Sequence, residues 1–355
     1  MKSRLTICLA VVVAAALVAP TAWAAWSTKG KSMGSTTILG EPSCAQLAAK
    51  DVVCATRSID GKLAFDEFVD NAWSDWTDIS GGGVLSDPSC ANDNAGNIVC
   101  AVASDSSTMT ATVYDGKKWS AYVDSGKQIS SAPSCSLLKN GKLLCAARYI
   151  NGSMVSALFS AGAWSKIIVS KATLTTGPSC AGDNDGDVIC AMAALASPGN
   201  NTIIANRFSG SKFDGFLTLQ ANLSGDAPIC NSLGVKGQVM CFVRASNTAI
   251  YRNMFKSGIW QNSNWTGWGN IAGGESSPRI SCGMPSAGTL ACLVHYVGDG
   301  MLYGGTFDGT NWSAFSTKVG SKPTNAGPAC AEYNSGSVIC AGVGTNSQAF
   351  SVTGP

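Results

Sequence analysis

Short apolar runs, each bounded by polar or glycine-bearing turns, recur from one end of the chain to the other. Val52-Val53-Cys54-Ala55, Ile98-Val99-Cys100, Val188-Ile189-Cys190 and Val338-Ile339-Cys340 are examples. Some pieces alternate, as at Leu63-Ala64-Phe65 and Met301-Leu302-Tyr303. Long helix-like periodicity is absent, so the pattern predicts many short strands joined by tight turns. Gly96, Gly141, Gly186, Gly237, Gly288 and Gly336 fall in matching turns, where a tight hairpin needs a residue at positive φ. Asp60-Gly61, Asp115-Gly116, Asn151-Gly152 and Asp308-Gly309 mark further turns.

The runs are organised by cysteine. Fourteen of the fifteen cysteines form seven pairs: Cys44/Cys54, Cys90/Cys100, Cys135/Cys145, Cys180/Cys190, Cys230/Cys241, Cys282/Cys292 and Cys330/Cys340. The first members lie 46, 45, 45, 50, 52 and 48 residues apart. One unit of four short strands is therefore used seven times. The paired cysteines flank the first turn, so they sit on neighbouring antiparallel strands within disulfide reach. Metal ligation does not suit them, because the spacing is not a zinc pattern and the only histidine is His295.

The units begin near residues 42, 88, 133, 178, 228, 278 and 328, and the seventh stops at Pro355 before any Trp-Ser strand. The N-terminal segment at about 25–35 supplies one. Trp26 precedes Cys44 by 18 residues, and Trp312 precedes Cys330 by the same number. A closed ring lets that segment complete the last unit and leaves no edge at the seam. The expected fold is all-β: a seven-bladed β-propeller over residues 25–355, with four antiparallel strands and one disulfide per blade.

Lys2 and Arg4, an apolar run to Pro20 and the small residues around Ala22-Trp23-Ala24 read as a signal peptide over residues 1–24. Cys8 would leave with it, and an even number of cysteines suits an oxidising, secreted or periplasmic location. The apolar run is short for a spanning helix, and no second one follows. Without Lys2 and Arg4 the chain carries 22 basic and 22 acidic side chains, with no basic stripe. That argues against nucleic acid or an anionic membrane as a partner.

The order proline, strand, Gly turn, strand, Asp-Gly turn, aromatic strand, Trp-Ser-x-aromatic and Gly-Gly resembles bacterial PLL-type propeller lectins. Trp73-Ser74-Asp75-Trp76-Thr77-Asp78-Ile79-Ser80-Gly81-Gly82 and Trp265-Thr266-Gly267-Trp268-Gly269-Asn270-Ile271-Ala272-Gly273-Gly274 carry the likeness. It implies shallow sites for fucose or other monosaccharides between blades, many per ring. An aromatic of the third strand belongs to that region in the family; Phe65, Tyr251, Tyr303 and Phe350 correspond here. Thr110, Val155 and Ile204 depart, and the family's Trp-His pair is absent.

A saccharide site needs an aromatic face and fixed polar groups. Phe65, Trp76, Tyr251, Trp260, Trp268, Tyr303 and Phe350 are candidate faces, and Arg57, Arg148, Arg244 and Arg252 candidate hydroxyl partners. The first Trp of each Trp-Ser motif, such as Trp119, Trp164 and Trp312, is expected to pack within a blade. Asp183-Asn184-Asp185-Gly186-Asp187 resembles part of a calcium loop but lacks the later bidentate acid, and reads as a polar hairpin turn. No nucleophile, base and acid assemble in the sequence; Glu41, Asp87, Asp226, Glu275 and Glu332 are isolated acids. No catalytic residues, metal or cofactor are therefore expected. The sequence points to an exported protein with glycans or glycoconjugates as partners and avidity from repeated sites. The alternative is a non-enzymatic scaffold for surface proteins.

Overall fold

The computed structural model describes residues 25–197, 200–221, 226–272 and 276–355. The expected signal peptide lies outside them. Seven antiparallel sheets form seven blades, each with strands a to d running outward from the axis. Blade 1 comprises Ser43–Ala48, Asp51–Arg57, Leu63–Val69, and a split outer strand at Ala72–Trp73 and Thr77–Asp78. Blade 2 comprises Ser89–Asn92, Ile98–Ala103, Thr108–Tyr114 and Val123–Gln128. Blade 3 runs Ser134–Leu137, Leu143–Arg148, Met154–Ser160, then Ala163–Trp164 with Ile168–Ser170. Blade 4 has Ser179–Gly182, Val188–Ser197, Asn200–Phe208 and Phe213–Ala221. Blade 5 has Ile229–Ser232, Val239–Arg244, Ile250–Phe255 and Gly269–Ile271. Blade 6 has Ser276–Gly283, Leu290–Tyr296, Leu302–Phe307 and Thr317–Val319. Blade 7 has Ala329–Asn334, Ser337–Val343 and Gln348–Gly354, and its strand d is the N-terminal Lys31–Thr37.

The seam is closed as the ends of the chain imply. Lys31 pairs with Ser351 and Ser32 with Phe350. The Trp-Ser motif explains the phase. In each such blade the hydroxyl after the aromatic accepts the amide of strand c: Val113 N to Ser120 Oγ at 3.0 Å, Leu158 N to Ser165 Oγ at 2.9 Å, Thr306 N to Ser313 Oγ at 2.8 Å. Ser27 does the same for Thr353 at 3.0 Å, across 326 residues of sequence. Gly354 stands where other blades carry an aromatic ring; a Cβ there would overlap Trp26, which fills the place.

All seven disulfides are formed within blades, between residues directly opposite on strands a and b. They are Cys44–Cys54, Cys90–Cys100, Cys135–Cys145, Cys180–Cys190, Cys230–Cys241, Cys282–Cys292 and Cys330–Cys340. The strand b members, Cys54, Cys100, Cys145, Cys190, Cys241, Cys292 and Cys340, are fully buried. Their part is therefore structural, and none of them is open to a ligand or a metal.

The core is a ring of apolar layers, one between each neighbouring pair of blades. Outside the blade 6–7 layer, where Trp26 lies over Gly354, each layer includes a ring of strand c packed on the motif aromatic, as in Phe68–Trp73 at 4.9 Å, Tyr114–Trp119 at 5.1 Å and Phe307–Trp312 at 5.3 Å. The first Trp of the motif thus packs on strand c of its own blade, and in two blades it also ties to the preceding one: Trp73 Nε1 donates to Ser351 Oγ and Trp164 Nε1 to Val123 O, both at 2.8 Å.

Around the axis, a serine just before the first cysteine clasps the next blade. Ser43 Oγ accepts the Cys90 amide, Ser89 the Cys135 amide, Ser134 the Cys180 amide, Ser179 the Cys230 amide and Ser281 the Cys330 amide, each at 2.9 Å. Ile229 and Ala329 replace the serine in blades 5 and 7. Ser134→Ala is expected to cost about 1 kcal/mol, the net value of one such bond, read by equilibrium denaturation. Ala329→Ser should give no loss.

Candidate functional site

The face bearing the d-to-a loops and the b–c turns is called upper here, and the face bearing the a–b and c–d turns lower. On the upper face a pocket of about 170 Å³ opens between blades 1 and 2, lined by Gly82, Gly83, Val84, Val102, Ser104, Ser106, Thr110, Tyr122 and Asp124. Tyr122 is the second aromatic of Trp119-Ser120-Ala121-Tyr122, so strand d delivers it toward blade 1. Gly81 has φ +154°, and a Cβ there would overlap the Tyr122 ring, so the glycine run of the preceding loop makes room for that side chain.

The chemistry of the pocket is that of neutral hydrogen bonding on an aromatic wall. The Tyr122 hydroxyl is buried with no hydrogen-bond partner in the protein. Burial pushes its pKa up to about 12, so it stays a donor at all ordinary pH. Ser104, Ser106 and Thr108 form a hydroxyl cluster with oxygen separations of 2.8–3.2 Å. Asp124 uses Oδ1 to accept the Gly126 amide at 2.8 Å.

The expected site residues are spread more widely. Phe65 lies opposite Ala55, one residue past its cysteine, whereas Tyr251, Tyr303 and Phe350 lie opposite Val243, Val294 and Gly342, two past theirs. A one-residue offset moves a side chain to the other face of its sheet. Phe65 therefore corrects the expected alignment: Ala64 holds the shared position, and Phe65 packs on Tyr114 and Trp119 of blade 2 at 5.4 and 5.3 Å. Thr110 occupies that shared position in blade 2 and faces the pocket. Trp76 and Phe350 are 6% and 4% exposed and belong to the layers between blades 7 and 1 and between 6 and 7. They have no face open to a ligand. Tyr251 and Trp268 come together at the blade 4–5 interface. Trp268 is the repeat counterpart of Tyr122. Tyr303 donates to Asp299 Oδ2 at 3.0 Å, and Lys318 reaches the same oxygen at 3.1 Å. Trp260 is held on the lower side of blade 4 by its Nε1 bond to Gly215 O at 2.8 Å. The bridging cysteines stay apart from these groups. Cys145, Cys241 and Cys292 are sealed in the layers between blades 2 and 3, 4 and 5, and 5 and 6.

The arginines serve the channel mouth and loops. Arg244 pairs with Asp226 at 2.6 Å, and Arg148 Nε donates to Leu174 O at 2.8 Å. Arg57 lies beside Asp87, whose carboxyl is raised by burial against the opposing pull of that guanidinium. Glu41 forms an ion pair with Arg279. Glu41, Asp87, Asp226 and Arg279 border a cavity of about 500 Å³ at the upper mouth of the channel. Three acids of the sequence, Glu41, Asp87 and Asp226, thus each have an arginine beside them. Arg252 is on strand c of blade 5 at the position of Phe65, against Gly269. Glu275 lies outside the described residues. In the Asp183–Asp187 turn, Asp183 Oδ1 accepts the amides of Asp185, Gly186 and Asp187 at 2.8–3.2 Å, the geometry of a polar hairpin turn.

Tyr122, Ser104, Ser106 and Asp124 are not singled out by sequence, and Thr110 stands out there only as a departure from the third-strand aromatic. The signal for Tyr122 is its place in the Trp-Ser-x-aromatic motif after a loop with three successive glycines.

No protein-family model matches the chain, and no curated protein matches it. Solved structures match its fold. An Aleuria aurantia lectin in complex with Fucα1-6GlcNAc aligns at TM-score 0.53 and 15% identity, over 82% of this chain and 100% of that one. AofleA from Arthrobotrys oligospora aligns at 0.56 and 10% identity, over 81% and 92%. A fungal alcohol oxidase in complex with copper aligns at 0.61 and 12% identity, over 93% and 76%. At such identities these likenesses show a propeller fold alone, and that fold serves both lectins and enzymes.

Proposed function

We propose that this chain is an exported, non-enzymatic, carbohydrate-binding propeller, akin to PLL-type lectins, that takes a monosaccharide in the blade 1–2 pocket. The observation that carries this reading is the pairing of an unpartnered, buried Tyr122 hydroxyl with a neighbouring cluster of serine and threonine hydroxyls around a small cavity. A sugar supplies what such a site lacks: an apolar ring face for the tyrosine and hydroxyls that both accept and donate. The fold likeness to fucose-binding lectins supports it. The degenerate repeats support fewer sites than blades, with Tyr251 and Trp268 framing the second-best groove.

A glycan-array screen of the oxidised protein tests the proposal. It is expected to return a defined monosaccharide terminus. Tyr122→Phe should weaken that ligand about tenfold, the worth of one hydrogen bond in a dry site, measured by titration calorimetry. Unchanged affinity in this variant would remove the pocket from consideration.

A second reading has one specific observation behind it. Leu39, Ile59, Leu85, Ile150, Leu195 and Val297 are 47–57% exposed and stand on upper-face loops, turns or strand ends, while Ile259, at 73%, stands on the lower face. Six exposed apolar side chains on the upper face suit a protein-interaction scaffold. A silent array together with capture of a defined surface protein by this face would favour that reading.

A further inference from the structure

The seven inter-blade wedges are not filled alike on the lower face. Three residues after the first cysteine, Leu47, Leu138, Leu233 and Tyr333 reach from blades 1, 3, 5 and 7 into the layer with the following blade. Tyr333 sits 5.2 Å from the Phe68 ring of the next blade. In blades 2 and 4 the same position holds an aspartate, Asp93 or Asp183. Each turns back on its own hairpin. Asp93 Oδ1 accepts the amides of Ala95 and Asn97 at 2.8 and 3.1 Å, and Asp183 does likewise for its turn. Neither aspartate fills a wedge.

At the blade 4–5 wedge the gap is filled in cis. The long c–d loop of blade 5 lays Trp260 against Phe255 at 5.4 Å, with its Nε1 donating to Gly215 O of blade 4. At the blade 2–3 wedge blade 3 has only the short turn Ala161-Gly162; its motif indole, Trp164, packs on Phe159 at 4.9 Å and donates to Val123 O of blade 2 at 2.8 Å, and among the described residues no second indole takes the place of Trp260. A groove of about 760 Å³ remains, lined chiefly by apolar atoms. Its walls match those around Trp260 in position but not in every contact: Arg207 lies over the Trp260 ring at 5.7 Å, which Val113 cannot reproduce, and the Ala121 carbonyl also accepts from Ser120 Oγ at 2.9 Å, leaving its second lone pair for a ligand. Phe159 stands for Phe255, Val113 for Arg207, and Ala121 for Gly215, so a backbone carbonyl occurs where the Trp260 indole finds its acceptor.

We infer that the lower blade 2–3 groove is a receptor for a tryptophan side chain of a partner polypeptide, seated as Trp260 is seated in cis. Its volume lies within the range of clefts that take small-molecule ligands, ample for an indole and its flanking backbone. The tryptophan stacks on Phe159 and donates its indole N–H to the Ala121 carbonyl. The site lies on the face opposite the saccharide pocket and does not depend on it.

The test uses a blocked Gly-Gly-Trp-Gly-Gly peptide carrying 5-fluorotryptophan, with fluorine NMR of the peptide titrated against the oxidised protein. Wild type is expected to give a saturable shift, and a phenylalanine peptide labelled on its ring to bind at least tenfold more weakly. Asp93→Leu installs the plug found in blades 1, 3 and 5, and should raise the peptide's dissociation constant at least tenfold. Val113→Phe, which narrows the groove from the other wall, should do the same if the leucine variant folds poorly. No saturable shift in wild type, or equal binding by both variants, would overturn the inference. Binding of free 5-fluoroindole without binding of the peptide would overturn the polypeptide source.

Discussion

Reduction of the seven disulfides is expected to abolish the cooperative unfolding transition at 25 °C. Each bridge closes a loop of ten or eleven residues between strands a and b. Loop entropy gives about 2–3 kcal/mol per bridge, or roughly 14–21 kcal/mol if the seven add. A domain's net stability is about 5–15 kcal/mol, so the sum is of the size of the whole. The second cysteine of every pair, from Cys54 through Cys145, Cys241 and Cys292 to Cys340, is fully buried, which places the loss in the inter-blade layers rather than at the surface. The Cys135→Ala/Cys145→Ala pair should cost about 2–3 kcal/mol alone. Circular dichroism through a denaturant series, with and without reductant, measures both. A reduced protein that unfolds at nearly the oxidised midpoint would show that the hairpins hold their register without the bridges.

Asp66→Asn is expected to stabilise the protein at neutral pH and to flatten its stability between pH 4 and 6. Asp66 is fully buried on strand c, and its Oδ2 has no hydrogen-bond partner. Burial raises its pKa from 3.8 to about 6, against the lowering effect of bonds from Ser74 Oγ and the Asp75 amide, both at 2.9 Å. Below pH 4 the carboxyl is protonated in folded and unfolded chains alike. Between about pH 4 and 6 the unfolded chain releases its proton while the folded one keeps it, so stability falls as pH rises through that window. The loss amounts to about 1–3 kcal/mol at pH 7. Asparagine can accept the same two bonds through Oδ1, and blades 4 and 5 carry it at the matching positions as Asn206 and Asn253, both buried. Asn206 Oδ1 accepts the Gly215 amide at 3.0 Å in the same way. Denaturation midpoints at pH 4, 5, 6 and 7 decide the matter; an asparagine variant less stable than wild type at pH 7 would mean that the charged form is held better than burial implies.

The architecture was legible because it rests on period and phase. Cysteine spacing located strands a and b, and the Trp26 segment completed blade 7. The roles of the small polar residues were less visible. Ser89 and Ser134 read in sequence as ordinary strand a residues, yet each accepts an amide of the following blade, a contact across 46 positions of chain. Phe65 escapes alignment from sequence because apolar and aromatic residues alternate loosely in strand c, and only pairing with strand b fixes which face each occupies. The pocket was hidden for a different reason. Its walls come from two blades, and its room depends on what is missing: a side chain at Gly81 and a bulky residue at Thr110. The lower groove likewise arises from Asp93 where its repeats carry leucine, a difference that reads in sequence as ordinary turn polarity.

The central claim is tested most directly by amide shift mapping of the oxidised protein during titration with the monosaccharide returned by the array. Saturable shifts are expected, centred on Ser104, Thr110, Tyr122 and Asp124 and weakened about tenfold by Tyr122→Phe. Saturable binding with those four amides unmoved would contradict it.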